Sequence, residues 1–128
     1  MAFTKGNKPL PGYPMQVADK NMVVFDHVGP ASYTQYASPT TGGDVINASD
    51  IGQGGFDQID DITDTTGQIA AYPVLPTAGY GNAVPKAYIA YWALVTATLG
   101  GQSQTLGTQI VASTNLSTFS FRFKAFCV

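Results

Sequence analysis

At 128 residues with a formal net charge of −2, the chain has room for one domain with a sizeable core and not for two. Hydrophobic residues make up 45% and charged residues only 11%, against roughly 25% charged in an average soluble domain, and this excludes a disordered chain. The acidic balance and the scatter of Lys5, Lys8, Lys20, Lys86, Arg122 and Lys124 argue against the basic stripe of a nucleic-acid binder, and no apolar run reaches the roughly 20 residues of a membrane helix.

The acidic residues are all Asp, with no Glu. Asp, Asn, Thr and Gly favour turns and caps, whereas Glu, Lys and Arg favour helices. With 14 Gly, 8 Pro and β-branched or aromatic residues at the apolar positions, the chain reads as all-β. A surface made of Thr, Ser, Gln, Asn and Gly suits a protein whose faces are covered by neighbours, and equally an uncharged β-domain standing alone. The start, MAFTKGNKPLPGYPM, has no apolar run of signal-peptide length and is broken by Gly and Pro, so a soluble protein made in the cytoplasm is expected.

Residues 1–20 read as an extended N-terminal arm, because Pro9, Pro11 and Pro14 restrict the backbone and remove donors. Such an arm lies over its own domain, clasps a neighbour, or frays. Residues 21–128 form the expected domain, a β-sandwich or small jelly roll of about seven or eight short strands. Asn21 to Val28 is the first strand, stopped by Gly29-Pro30. Tyr33 to Ala37 is a short strand or irregular edge, and Ser38 to Gly43 is a turn. Asp44 to Asn47 is extended, and Ala48-Ser49-Asp50 opens one helical turn or a tight loop. Phe56 to Ile59 begins a strand whose expected hairpin partner is Gln68 to Leu75, joined by Asp64-Thr65-Thr66-Gly67. Lys86 to Ala97 reads as a long buried strand, turned at Gly100-Gly101 and answered by Thr105 to Ala112. In the last strand, Thr118 to Cys127, the residues Phe119, Phe121, Phe123, Ala125 and Cys127 alternate with Ser120, Arg122, Lys124 and Phe126, the mark of one dry and one wet face.

Chemistry is sparse. His27 is the only histidine, and its neighbour Asp26 points to the opposite face of a strand, so the pair cannot act as a catalytic couple. The lone Cys127 has no disulfide partner within the chain and reads as a small hydrophobe. Asp57, Asp60, Asp61 and Asp64 lie close in sequence but lack the spacing of a calcium loop; they read as turn caps, solvated acids or partners of basic residues across a subunit boundary. Asp26 and Asp44 offer a paired-carboxylate reading that nothing else in the sequence supports, and Trp92 reads as core. Neither an enzyme nor a cofactor or metal site is expected.

Three stretches carry a resemblance: GPASYTQY (29–36), TTGGDVINASDIGQGGFDQID (40–60) and STNLSTFSFRFKAF (113–126). Within them Ser32-Tyr33-Thr34, Gly42-Gly43-Asp44, Ala48-Ser49-Asp50-Ile51-Gly52, Phe56-Asp57 and Asn115-Leu116-Ser117 resemble small structural proteins of tailed-bacteriophage virions, of the head-decoration or cement type. The arm and the loop around Tyr80 lie outside the resemblance. The resemblance implies a non-enzymatic virion protein on the capsid surface, partnered by the major capsid protein and by copies of itself as a homo-oligomer, with no nucleic acid or membrane partner. The candidate contacts are then Phe3, Lys5, Lys8, Leu10 and Tyr13 of the arm and Asp57, Asp60, Asp61 and Asp64 of the acidic segment. A tail or head–tail connector component, and a carbohydrate- or receptor-binding β-module using Trp92, are the alternatives.

Overall fold

The clean alternation of the C-terminal segment puts it at the centre of the fold. The computed structural model describes residues 3–4, 6–38, 41–64, 67–76 and 83–128, without the side chains of 63 and 64. These residues form β1 (Asn7–Pro9), β2 (Met15–Val17), β3 (Lys20–Val28), β4 (Asp44–Asn47), a 3-10 turn (Ala48–Ile51), β5 (Phe56–Asp64), β6 (Ile69–Val74), β7 (Lys86–Ala93), β8 (Ala97–Leu99), β9 (Gln102–Gln104) and β10 (Ser120–Cys127). The protein is all-β. The first sheet runs β1-β3-β10-β5, with β2 pairing the other end of β3; the second runs β4-β7-β6; β8 and β9 make a separate hairpin. All pairs are antiparallel.

β10 lies between β3 and β5, so both its edges are hydrogen-bonded. Its Phe121, Phe123, Ala125 and Cys127 are buried and join Val23 and Phe25 of β3. From the second sheet Ile46, Ala87, Ile89, Tyr91, Ala93, Ile69 and Ala71 enter the same core. Tyr91 of β7 meets Phe121 of β10 at 4.7 Å between ring centroids, and Phe25 meets Phe123 at 5.8 Å. The two sheets therefore face one another across a single aromatic core. Fully burying each such ring contributes roughly 1.5–3 kcal/mol.

The arm is tied to its own domain wherever it is described. β1 and β2 occupy successive halves of one edge of β3, and Leu10 N–H donates to the Val24 carbonyl at 3.0 Å. Asn47 caps the 3-10 turn reciprocally with Asp50, as Asp and Asn at a helix start commonly do. Thr4 donates through its N–H to the Asp50 carbonyl at 2.8 Å and through its hydroxyl to Asp50 Oδ1 at 3.1 Å, pinning the start of the arm there.

Three expectations are corrected. β5 and β6 do not form a hairpin: β5 pairs with β10 and β6 with β7. Turn residues specify a change of direction but not whether the chain stays in one sheet, and crossing lets Ile59 and Ile69 enter the core from opposite layers. Residues 65–66 of that turn lie outside the described residues. The long strand ends at Ala93, and Thr105 to Ala112 is irregular apart from one bridge, Trp92 to Gln109. Gly100 and Gly101, at φ +59° and +81°, make a two-residue turn with Leu99 opposite Gln102. Positive φ at both positions matches the strand twist of a tight hairpin, so the turn closes on its immediate neighbours instead of on distant ones. Finally, Trp92 is not core: β7 places it on the side of the sheet away from Tyr91.

Candidate functional site

The polar chemistry of the chain gathers in two places, a buried cluster between the layers and the outer faces of the sheets. In β3 the inward parity of Val23 and Phe25 carries His27 into the core side, where it is buried against Phe123. Its Nδ1 lies 2.7 Å from Asn7 Oδ1 and its Nε2 lies 2.6 Å from Asp44 Oδ2. The Asn7 amide is oriented by its own Nδ2, which donates to the Thr4 carbonyl at 2.6 Å. Both ring nitrogens thus face side-chain oxygens, one from the first sheet and one from the second.

Asp44 Oδ2 also accepts from the Tyr91 hydroxyl at 2.7 Å. Tyr33 accepts the Tyr91 N–H at 3.1 Å and donates to Gln109 Oε1 at 2.6 Å, and Gln109 Oε1 and Nε2 hold the backbone of Tyr36. One chain of hydrogen bonds therefore links β1, β3, β4, β7 and the loops at 33–36 and 109. Burial raises the Tyr91 hydroxyl well above its ordinary 10.0, helped by the Asp44 charge, and burial likewise raises Tyr33. These groups hold their protons and fasten the layers; as low-dielectric polar networks they specify one arrangement of the sheets. As expected from strand parity, Asp26 does not orient His27. It faces outward and takes a two-pronged bond from Arg122, at 2.8 and 3.2 Å. Nor are Asp26 and Asp44 brought together. Cys127 is buried, and desolvation followed by the Asp57 charge pushes its thiol up to about 12, far from a reactive thiolate.

The outer face of the first sheet carries most of the exposed charge. Register aligns Lys8, Asp26 and Arg122 in one row and Val24, Lys124 and Asp60 in the next. A third row, Met15, Met22, Phe126 and Gln58, is largely apolar, and Lys124 Nζ stands 5.7 Å from the Phe126 ring centroid. The outer face of the second sheet differs. It presents Val45, Tyr88 and Val74 in one row, Ala90 and Tyr72 in the next, then Trp92 and Ala70. Lys86, at the start of β7, is the one charged side chain that the register places on this face among the described residues.

The candidate contacts are dispersed over these surfaces. Phe3 packs against the core of its own chain, Leu10 and Tyr13 are half-buried, and Lys8 is exposed on the first sheet. Lys5 lies outside the described residues, as does the Asp64 side chain. Asp57 pairs with Lys20 at 2.9 Å and Asp60 accepts from Gln58 at 2.7 Å, while Asp61 is opposite Phe123 and turns to the inner side. The strand spreads these acids over two faces, and among the described residues no group of three or more His, Cys or acidic side chains is placed to hold a metal ion. Sequence reading missed Asn7 and Asp44 as partners of His27, and Tyr91, Tyr33 and Gln109 as the bonds that continue from Asp44. The signal for a partner was present, since a lone histidine at the dry parity of a strand needs one. The signal for their identity was not, because Asn7 comes from the arm and Asp44 from the other sheet. No protein-family model, curated protein or solved structure matches the chain.

Proposed function

We propose that the chain is a non-enzymatic structural protein of a phage particle, a decoration or cement protein that braces the head shell by bridging capsid subunits. The observation that carries the reading is the outer face of the first sheet: an apolar row, Met15, Met22 and Phe126, beside rows of paired charge, on a five-stranded scaffold. A protein-docking patch has this anatomy, with apolar area for affinity and charge for register. The resemblance of segments 29–36, 40–60 and 113–126 to head-decoration proteins supports the same reading. So does the use of His27, Asp44 and Tyr91 to fasten the layers, which commits the chain's one imidazole to the scaffold.

The reading is tested by titrating the purified protein onto shells that lack it. Saturable occupancy and a rise in the heat resistance of the particles are expected. Reversing Lys8 and Lys124 together to Glu is expected to weaken binding by about tenfold or more while the protein stays folded, as loss of complementary charge does. Unchanged binding by that variant refutes the assignment of the face, and no binding by the native chain refutes the function. Trp92 and Tyr72 are exposed aromatics, 39% and 63% accessible, which is the specific observation favouring the glycan-binding alternative.

A further inference from the structure

We propose that Met15, and not the chain's one thiol, is its oxidation site, and that a sulfoxide there switches off docking by the outer face of the first sheet while the fold stays intact. The described residues carry sulfur in Met15, Met22 and Cys127, and Met1 lies outside them. Cys127 closes the central strand with no exposed surface, and desolvation keeps its proton on. Oxidation of a cysteine follows thiolate character and exposure, and this thiol has neither. Met15 is 44% exposed, on a three-residue edge strand whose side chains are all open to solvent. Met22 stands directly opposite it on β3 and is half-buried, and Phe126 follows on β10. Register therefore puts the open sulfur on the docking face and the closed one in the core.

A peroxide is the oxidant such a thioether takes. The sulfur gives an electron pair to one peroxide oxygen, the O–O bond breaks as the S–O bond forms, and the other oxygen leaves as water. A sulfoxide reductase returns the thioether, the oxygen leaving as water while a pair of thiols is oxidised to a disulfide. The product is polar and chiral in a row whose contribution to docking is apolar. Seated against a partner, the sulfoxide oxygen loses its hydration, and burying a polar group without a compensating donor is unfavourable. The nearest cation that the register offers, Lys124, stands over the Phe126 ring at 5.7 Å. In the free protein the same oxygen points to solvent, on the side of the sheet away from Val23 and Phe25, so the core is untouched. The docking consequence rests on the proposed function; the site itself rests on exposure and burial alone.

The test treats the full chain with hydrogen peroxide and maps the added oxygen by peptide mass spectrometry. Oxygen is expected on Met15 before Met22, with Cys127 unmodified, no disulfide-linked dimer, and circular dichroism and melting unchanged. The Met15-oxidised chain is then titrated onto shells that lack the protein. It is expected to bind about tenfold more weakly or worse, and to regain the native affinity after treatment with methionine sulfoxide reductase and dithiothreitol. Met15→Leu, whatever its own affinity, is expected to bind equally before and after peroxide, because the replacement keeps the volume and removes the sulfur. Oxidation that reaches Cys127 first, or a Met15 sulfoxide that lowers the melting temperature, overturns the site. Unchanged shell binding by the Met15-oxidised chain, or an equal loss in the peroxide-treated Met15→Leu chain, overturns the switch and leaves the proposed function standing. A native chain that binds no shells removes the proposed function and the switch together, and the oxygen map still decides the site.

Discussion

Replacing His27 with Ala tests the buried cluster most sharply. The ring makes two short hydrogen bonds, to Asn7 Oδ1 and Asp44 Oδ2, and packs 6.1 Å from the Phe123 centroid. Its loss leaves the largely buried Asp44 carboxylate with the Tyr91 hydroxyl still donating to Oδ2, and leaves the Asn7 amide facing a void. Leaving a buried hydrogen-bonding group without its partner costs about 1–3 kcal/mol. A domain of this size has roughly 5–15 kcal/mol in total, so His27→Ala is expected to remove a substantial share of the stability. Urea unfolding at neutral pH measures the loss, and a cycle with Asp44→Ala measures the coupling, expected at about 1–3 kcal/mol. The single losses are expected to exceed their share of the double variant, because each strands the other group. A loss below about 1 kcal/mol, or additive single effects, refutes the account of a layer-spanning pair.

Gly42 adopts φ +75°, and a Cβ there runs into the Gln35 carbonyl, so Gly42→Ala is expected to lower stability by about 1–3 kcal/mol in thermal unfolding; an unchanged melt contradicts the strained turn. Cys127 keeps its proton from the ordinary 9.0 up to about 12 in the folded chain, so folded stability is full below pH 9 and falls as pH rises from 9 toward 12. Its share of that slope is about 1.4 kcal/mol per pH unit, and Cys127→Ala is expected to flatten the slope in alkaline urea titrations, with Tyr91 sustaining the remainder above pH 10; a slope equal to the native one refutes the burial account. Trp92→Ala is expected to cost under about 1 kcal/mol and Phe121→Ala about 3–5 kcal/mol, because the first lies on an open face and the second in the core; equal losses contradict the parity of β7.

Where period two or turn chemistry acts locally, the fold was legible. β10 followed from the alternation of Phe121, Phe123, Ala125 and Cys127 with Arg122 and Lys124, and β3 from NMVVFDHV between Lys20 and Gly29. Ala48-Ser49-Asp50 was legible as one helical turn or a tight loop, and the structure makes it a 3-10 turn closed by Asn47 and Asp50. What failed was pairing across distance. The Asp64–Gly67 turn looked like a hairpin closure, yet β5 finds β10 and β6 finds β7, because both layers need apolar strands and a turn does not choose between them. Trp92 was read as core because its strand is so apolar, although the inward parity of Tyr91 already places Trp92 outward. The His27–Asp44 pair spans two sheets, and no local pattern in a single sequence records such a contact.

The most direct test of the central claim is the copy number of this chain in purified particles, counted by quantitative mass spectrometry against the major capsid protein. A protein that braces a symmetric shell repeats with its lattice, so copies on the order of hundreds per particle are expected. A dozen copies or fewer, the order set by a single neck or tail ring, contradicts the shell assignment.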